Sequence, residues 1–540
     1  MTTNADMLTL FPDAQDVPEA HALPEPVELR GYLVGGRIID WDGPMQQIDS
    51  PVEIRRNGSL EPVRLGSCPQ LDAQAGLAAV EAVRQAWDHG MGLWPTLSVA
   101  DRISRVEAFT GRMIEKREAI VRLMMWEICK PLDECRVEFD RTVEYIRDTV
   151  DALKDLDRAS SRFVIEKGIY AQIRRAPLGP TLCMGPYNYP LNETFATLIP
   201  ALLMGNPVIL KPPRLGRLLY VPLMEAFRDC FPAGVVNVVF GGRSMVGPIM
   251  ASGIISVLAF IGSSDAASAL RKAHPNPNQL RCILGMGAKN PAIVMKSADM
   301  ELAVAECAAG SLSFSGQRCT ALKILFVHED RLDEFVERFV DAVAAMPMGM
   351  PWKDGVRITP LPEPGKCTYL GMLVSDAIAH GARVVNAGGG QSGGSLFHPA
   401  VLSPVNADML VYHEEQFGPV VPIVPFRDMA TPVNYMVESP FGQQLSIFSD
   451  DPKEVAGLVD PLVNQVCRVN INCLCQRGPD TFPFTGRKDS AEGTLSVGDA
   501  LRCFSIRTLV AAKGTDRNKE LLAAITREHS SNFLSTDFIM

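Results

Sequence analysis

Between residues 181 and 273 short apolar runs alternate with stretches of helical length. Residues 207–210, 235–240 and 256–261 read as strands, and 217–229, 244–252 and 265–273 as helices. Strands separated by helices cannot pair as tight hairpins, so each connection is a crossover and the sheet is parallel, covered on both faces. A second alternating stretch begins near 292–295 and runs to about residue 480. The fold class is therefore α/β, with at least two sheet-centred units in the 540 residues.

The flanks read differently. Ile103, Val106, Phe109, Met113 and Ile114 share one helical face, and so do Phe139, Val143 and Ile146 in a helix over 133–156. Residues 163–174 form a hairpin around Lys167-Gly168, and 503–511 a last strand. Residues 1–29 are Pro-rich and acidic, and are expected to form a poorly ordered arm. The tail, 513–540, carries a charged helix over 518–528 and then a loose end. The Gly-rich run 386–395 lacks the Lys-Ser/Thr of a phosphate-binding loop and reads as turns.

Composition narrows the function classes. Net charge is −10 with no Lys/Arg-rich block, which argues against nucleic acid or an acidic membrane surface as partner. No stretch approaches the roughly 18 to 20 apolar residues of a membrane span. The first 29 residues hold no Lys or Arg, the wrong charge for a targeting leader. The 13 cysteines form no CxxC pair and no metal-ligand spacing, so reduced, mostly buried thiols, a cytoplasmic location and no metal are expected.

Four segments carry chemistry. Cys319 stands in Phe314-Ser315-Gly316-Gln317-Arg318-Cys319-Thr320-Ala321, with a small-residue turn before it and a cation beside it. A thiol there can ionise and attack an electrophile. Asn188, in Gly185-Pro186-Tyr187-Asn188-Tyr189-Pro190, is either an amide donor to a developing oxyanion or a turn residue. Lys211 ends a strand, where α/β sheets bind ligands, with Arg214 three residues on; the pair suits an adenosine phosphate or is a solvated loop charge. Gly262-Ser263 lies between a strand and a helix N-terminus, a geometry friendly to phosphate. Cys183 and Cys282 lie in apolar runs and read as core.

Taken with Glu414-Glu415-Gln416-Phe417-Gly418-Pro419-Val420, these segments resemble the aldehyde dehydrogenase superfamily in order and spacing over roughly residues 30 to 512. Gln317-Arg318-Cys319-Thr320-Ala321 and the segment 476–484 (Gln-Arg-Gly-Pro-Asp-Thr-Phe-Pro-Phe) are most similar to its non-phosphorylating glyceraldehyde-3-phosphate dehydrogenase branch. The resemblance implies that Cys319 attacks the aldehyde, with Asn188 and the Cys319 N–H as oxyanion hole. Hydride then passes to a nicotinamide and leaves a thioester. It also implies that Lys211 contacts the adenine ribose and its 2′-phosphate, Gly262 and Ser263 the pyrophosphate, Glu415 the nicotinamide ribose and Phe417 the nicotinamide end. Arg214 stands where many NAD-preferring members have Glu, which favours NADP. Arg243 either assists or faces solvent. Arg141, Tyr189, Arg318 and Arg477 match the branch's phosphate-reading positions, so a small anionic aldehyde, glyceraldehyde 3-phosphate above all, is the implied substrate.

One position departs from the family. Its members usually carry Glu-Leu-Gly-Gly-Lys before the cysteine, and that Glu activates the deacylating water; here Gly285 takes its place and no carboxylate lies in 280–297. The Met286-Gly287-Ala288-Lys289-Asn290 run is similar to that of coenzyme A-acylating semialdehyde dehydrogenases. A hydrolysing enzyme, a coenzyme A-acylating one and a catalytically weakened homologue all stay open. The implied architecture is a Rossmann-like cofactor domain (30–159 and 177–286) without the usual dinucleotide glycine fingerprint, a catalytic domain (287–497), and a β arm (160–176 and 498–512). In this family the arm joins subunits into a homodimer or homotetramer.

Overall fold

The computed structural model describes residues 7–22, 25–57 and 59–539. Its first sheet is built from the apolar runs recognised above. Thr181–Met184, Val208–Lys211, Val236–Val238, Val257–Ile261 and Arg281–Gly285 are buried through their middles, and such strands need cover on both faces. They pair in parallel in the order Arg281–Gly285, Val257–Ile261, Thr181–Met184, Val208–Lys211, Val236–Val238. Antiparallel Gly31–Val34 and Arg37–Asp40 extend one edge to complete eight strands with Ala491–Glu492 at the other.

The strand order reverses at Thr181–Met184. The chain moves outward to Val208–Lys211 and Val236–Val238, then returns to the opposite side of Thr181–Met184 with Val257–Ile261. A crevice opens at the carboxyl ends of strands where the order reverses. Burial reports it: Met184, Lys211, Ile261 and Gly285 end their strands and are each only half-buried, whereas the residue before each is buried.

The second sheet has seven strands in the order Arg383–Val384, Ala400–Ser403, Val420–Phe426, Leu322–His328, Asn290–Val294, Gln444–Phe448, Arg468–Ile471, all parallel except the first. Separate apolar clusters cover its two faces, one around Ile293, Phe326 and Leu445, the other around Val294, Leu325 and Phe335. Only 286–289 separate Arg281–Gly285 from Asn290–Val294. The carboxyl ends of the first sheet therefore face the amino ends of the second.

The helix Leu132–Ser160 buries Phe139, Val143, Ile146, Val150 and Leu153, a 4-3-4-3 spacing that keeps them on one stripe. Each such side chain contributes about 1.5 to 3 kcal/mol of transfer free energy. The hairpin pairs Val164–Glu166 with Ile169–Pro177 across Lys167 and Gly168, both at positive φ, as a tight two-residue turn requires. Ser505–Lys513 adds a third strand in unbroken nine-residue register. Ile165 and Leu509 remain 60% and 57% exposed on this arm.

Several expectations need correction. The helix expected over 217–229 is a 3-10 segment, Leu218–Leu223, followed by Met224–Cys230; Pro222 lacks an N–H and disfavours helical backbone at the residue before it. Ala491–Glu492, placed above in the catalytic domain, joins the first sheet beside Leu284 and Gly285. The last strand starts at Ser505, because Cys503 closes the helix Val497–Cys503. The N-terminal segment is not loose where it is described. Met7 and Phe11 are buried, Arg55 donates to the Leu8 and Phe11 carbonyls, and the Trp126 indole to His21 O; residues 1–6 and 23–24 lie outside the described residues. The tail helix is Asp516–Arg527, and the segment after it is tied down by Gln172, Arg174 and Asn532 through backbone carbonyls. Scattered apolar residues such as Phe11 carry no periodicity that marks them as anchors. Among the described residues no helix is long and apolar enough to cross a membrane.

Candidate active site

Cys319 follows a turn of unusual backbone. Phe314, Ser315 and Gly316 all have positive φ (49°, 53° and 72°). Ser315 holds this form by donating to Thr359 O at 3.2 Å and accepting from the Thr359 N–H at 3.0 Å. Gly316 is required: a Cβ there would lie 2.7 Å from Gly418 O and 2.9 Å from Ser311 O. The Cys319 carbonyl is pinned by Asn290 Nδ2 at 2.8 Å and Lys323 Nζ at 3.2 Å, while its N–H has no acceptor among the described residues.

Asn188 meets this loop directly. Its Nδ2 donates to Gln317 O at 2.9 Å, which leaves its second N–H uncommitted. The turn carrying it rests on a fully buried ion pair, Lys130 Nζ to Glu138 Oε2 at 2.6 Å. Lys130 also donates to Asn188 O at 3.2 Å and lies 3.3 Å from the centroid of the Tyr189 ring. Glu138 Oε1 accepts the Leu191 and Asn192 N–H groups at 3.0 and 3.1 Å. Burial works against the Lys130 charge, but Glu138, together with Tyr189, Glu134 and Cys135, outweighs it and raises the ammonium above its ordinary value.

The expected arginine cluster assembles, with partners the sequence did not assign. Arg141 grips Asp480 through two bonds of 2.8 and 2.7 Å. Arg477 shares that carboxylate at 3.1 Å, donates to Leu495 O at 3.2 Å and pairs with Glu193 through Nη1. Burial opposes the Asp480 charge, yet the two arginines hold it below the ordinary carboxylate value. Two of the three arginines are therefore charge-compensated rather than open forks. Arg318 has no carboxylate partner among the described residues; it donates to Thr320 Oγ1 at 3.1 Å and Cys475 O at 3.4 Å.

These contacts close a ring around Cys319. Gln317 binds Asn188, Glu193 in the first turn of the following helix Asn192–Leu203 binds Arg477, and Cys475 of that segment binds Arg318. Cys319 is half-buried. Burial raises its thiol above the ordinary value and the Glu193 charge adds to this, while Lys323 and Arg477 oppose it.

On the first-sheet side a cavity of about 940 Å³ is lined by Lys211, Arg214, Arg217, Arg243 and Ser263. Burial pushes Lys211 down to about 8, and the Arg217 and Arg214 charges contribute. No hydrogen bond or ion pair of its ammonium is present among the described residues. Ser263 caps the helix Ser264–Ala273, accepting from the Ala266 N–H at 3.3 Å, and the Gly262 N–H donates to Gly285 O at 2.9 Å. Glu415 and Phe417 lie outside this cavity and border the Cys319 loop. Glu415 takes Lys323 at 2.6 Å and the Ala288 N–H at 3.1 Å; Phe417 packs edge-on against Tyr187 at 5.9 Å. Buried Lys289 ties that segment through Val411 O, Glu414 O and Gln416 Oε1 at 2.6 to 2.7 Å.

A family profile described as "Aldehyde dehydrogenase family" matches residues 59–510. This chain belongs to the aldehyde dehydrogenase family. It is 31% identical over 462 residues to an NADP-dependent glyceraldehyde-3-phosphate dehydrogenase of Streptococcus equinus, covering 84% of this chain and 92% of that one. The enzyme of that name from Pisum sativum is 27% identical over 458 residues, 83% and 89% of the two chains. Among solved structures, an NADP-dependent glyceraldehyde-3-phosphate dehydrogenase from Bacillus halodurans C-125 complexed with NADP superposes with a TM-score of 0.81 at 29% identity, over 90% of this chain and 100% of that one. The reaction class is aldehyde oxidation, on the α/β fold of the family.

Within this aldehyde dehydrogenase the residues overlooked by sequence reasoning are Glu193, Lys130, Glu138 and Lys323. Glu193 had one available signal: it is the only charged residue in the apolar stretch 191–205, yet an acid at a helix start is ordinary. Lys130 and Glu138 look like surface charges in sequence.

Two outcomes are expected. Lys130→Met strands the buried Glu138 carboxylate and should cost about 3 to 5 kcal/mol, read as a lower denaturation midpoint. Glu193→Gln removes a charge that raises the Cys319 thiol. The pH midpoint for iodoacetamide alkylation of Cys319, followed by peptide mass spectrometry, should move down.

Proposed function

We propose that this chain oxidises a small anionic aldehyde, with glyceraldehyde 3-phosphate the leading candidate, using NADP and Cys319 as nucleophile. The observation that carries the reading is the setting of Cys319, between Asn188 and an arginine-lined pocket on one side and Glu415 on the other. The names of the Streptococcus, Pisum and Bacillus relatives support both substrate and cofactor.

The cleft residues fit NADP. Lys211, Arg214, Arg217 and Arg243 crowd one cavity with Asp265 as its acid, and an unpartnered, partly desolvated ammonium favours an anion such as a 2′-phosphate. Gly262 and Ser263 would hold the pyrophosphate, Glu415 the nicotinamide ribose and Phe417 the nicotinamide end. When bound, the nicotinamide supplies hydride acceptance. The chain's own residues do the rest. The Cys319 thiolate adds to the aldehyde carbon, and the free N–H of Asn188 with the Cys319 backbone N–H stabilises the oxyanion. Loss of one such donor typically raises the barrier by about 2.7 to 4 kcal/mol. Arg318 and Tyr189 orient the anionic end, joined by Arg141 and Arg477 when the substrate competes with Asp480 and Glu193. Loss of hydride leaves the acyl group on Cys319 as a thioester.

Gly285 favours a second reading, release of the acyl group to coenzyme A. The arm supports a homodimer or homotetramer, because Ile165, Ile506 and Leu509 stay exposed on it.

Purified protein with glyceraldehyde 3-phosphate and NADP should turn over many times without coenzyme A, followed as NADPH. A single burst that needs coenzyme A to continue supports the second reading and overturns the first; silence in both arms overturns the substrate assignment. For the cofactor, Arg214→Glu should weaken NADP relative to NAD. Lys211 is charged below about pH 8 and neutral above it, so NADP affinity in fluorescence titrations should fall through that pH while NAD affinity changes less. Unchanged preference in Arg214→Glu refutes the role given to Arg214.

A further inference from the structure

An acyl group on Cys319 has to be released, and the strand end that faces the Cys319 region offers no acid–base group. Gly285 sits there, and the atoms nearest a Cβ would be Ile261 Cγ1 and Cγ2 at 3.3 and 3.5 Å and Leu495 Cδ1 at 3.7 Å. We propose that Glu193 is the base that activates water for thioester hydrolysis. The proposal rests on Cys319 being the acylated nucleophile.

Glu193 and Glu415 are the carboxylates that bear on the Cys319 thiol. Glu415 takes Lys323 and the Ala288 N–H on Oε1 and is the residue proposed above to hold the nicotinamide ribose. Glu193 is placed differently. It is buried, one turn beyond Asn188, and its N–H donates to Tyr189 O at 3.2 Å. It closes the ring of contacts Gln317–Asn188 and Arg477–Cys475–Arg318 that surrounds Cys319. One carboxylate oxygen rests on Arg477, and the other makes no hydrogen bond among the described residues.

Arg477 keeps a second carboxylate when Glu193 takes a proton. Asp480 already binds both Arg141 and Arg477. The Arg477 contact orients Glu193 and leaves its other oxygen for a water.

The step balances without an oxidant. The water oxygen bonds to the thioester carbon as one water proton passes to Glu193, and the carbonyl electron pair moves to the oxygen held by Asn188. Collapse breaks the C–S bond, expels the Cys319 thiolate and gives a carboxylic acid that ionises to solvent. The proton on Glu193 then returns to the thiolate or to water.

The test uses the full chain with p-nitrophenyl acetate and no nucleotide, so it is independent of the aldehyde and cofactor assignments. Wild type should give a nitrophenolate burst and then steady release. Glu193→Gln should keep the burst amplitude, lose about 10²-fold or more of the steady rate, and accumulate acetyl on Cys319 by mass spectrometry. Hydroxylamine should restore release, and Gly285→Glu in the Glu193→Gln background should recover part of the steady rate. An unchanged steady rate in Glu193→Gln overturns the proposal. So does parallel loss of burst and steady rate, the mark of a structural role. If Glu193→Gln fails to fold, Glu193→Asp decides: it should keep the burst and lower the steady rate, with hydroxylamine restoring release, and an unchanged steady rate overturns the assignment. No wild-type burst overturns the nucleophile reading as well.

Discussion

Residues 286–289 are the constraint on which the rest depends. They join the last parallel strand of one sheet to a central strand of the other. With so short a connection, the carboxyl ends of the first sheet must face the amino ends of the second. The cleft at the strand-order reversal is thereby brought close to the loop that carries Cys319. Lys289 stitches the junction to the 411–416 segment, and Asn290 holds the Cys319 carbonyl. One linker thus sets the distance between a cation-lined nucleotide-sized cavity and a thiol.

Around that thiol, position is fixed by buried charges in pairs. Lys130–Glu138 and the Arg141–Asp480–Arg477–Glu193 chain take charges out of water, and their mutual attraction and hydrogen bonds offset the desolvation. Such pairs are weak evidence for stability. Their value here is geometric: Glu138 binds two backbone N–H groups of the turn that carries Asn188, and Lys130 binds the Asn188 carbonyl. The same pairing bears on the chemistry, because a pocket whose arginines already hold carboxylates would take an anion by exchange rather than by addition.

Much of the fold was legible in the chain. The alternation from Thr181 onward identified a parallel sheet because strands buried on both faces must be apolar throughout. The Lys167-Gly168 hairpin was legible because a two-residue turn demands positive φ. What escaped was structure without periodicity: the two-residue edge strand Ala491–Glu492, the anchoring of Met7 and Phe11, and the docked tail. Of the candidate site, Cys319, Asn188 and Lys211 stood out by local motif. Glu193 and Lys130 did not, since a charge in sequence gives no sign of whether its partner is water or a residue far along the chain.

By itself the sequence determined the fold class, the family, the thiol and amide beside it, and the absence of a carboxylate at Gly285. These are local properties, written in residue type and spacing. Only the tertiary structure decided which charges cancel. Arg477 meets Glu193 across 284 positions of chain (477 − 193) and Arg141 meets Asp480 across 339. The reason is physical: an ion pair depends on separation and dielectric, and both are properties of the folded interior.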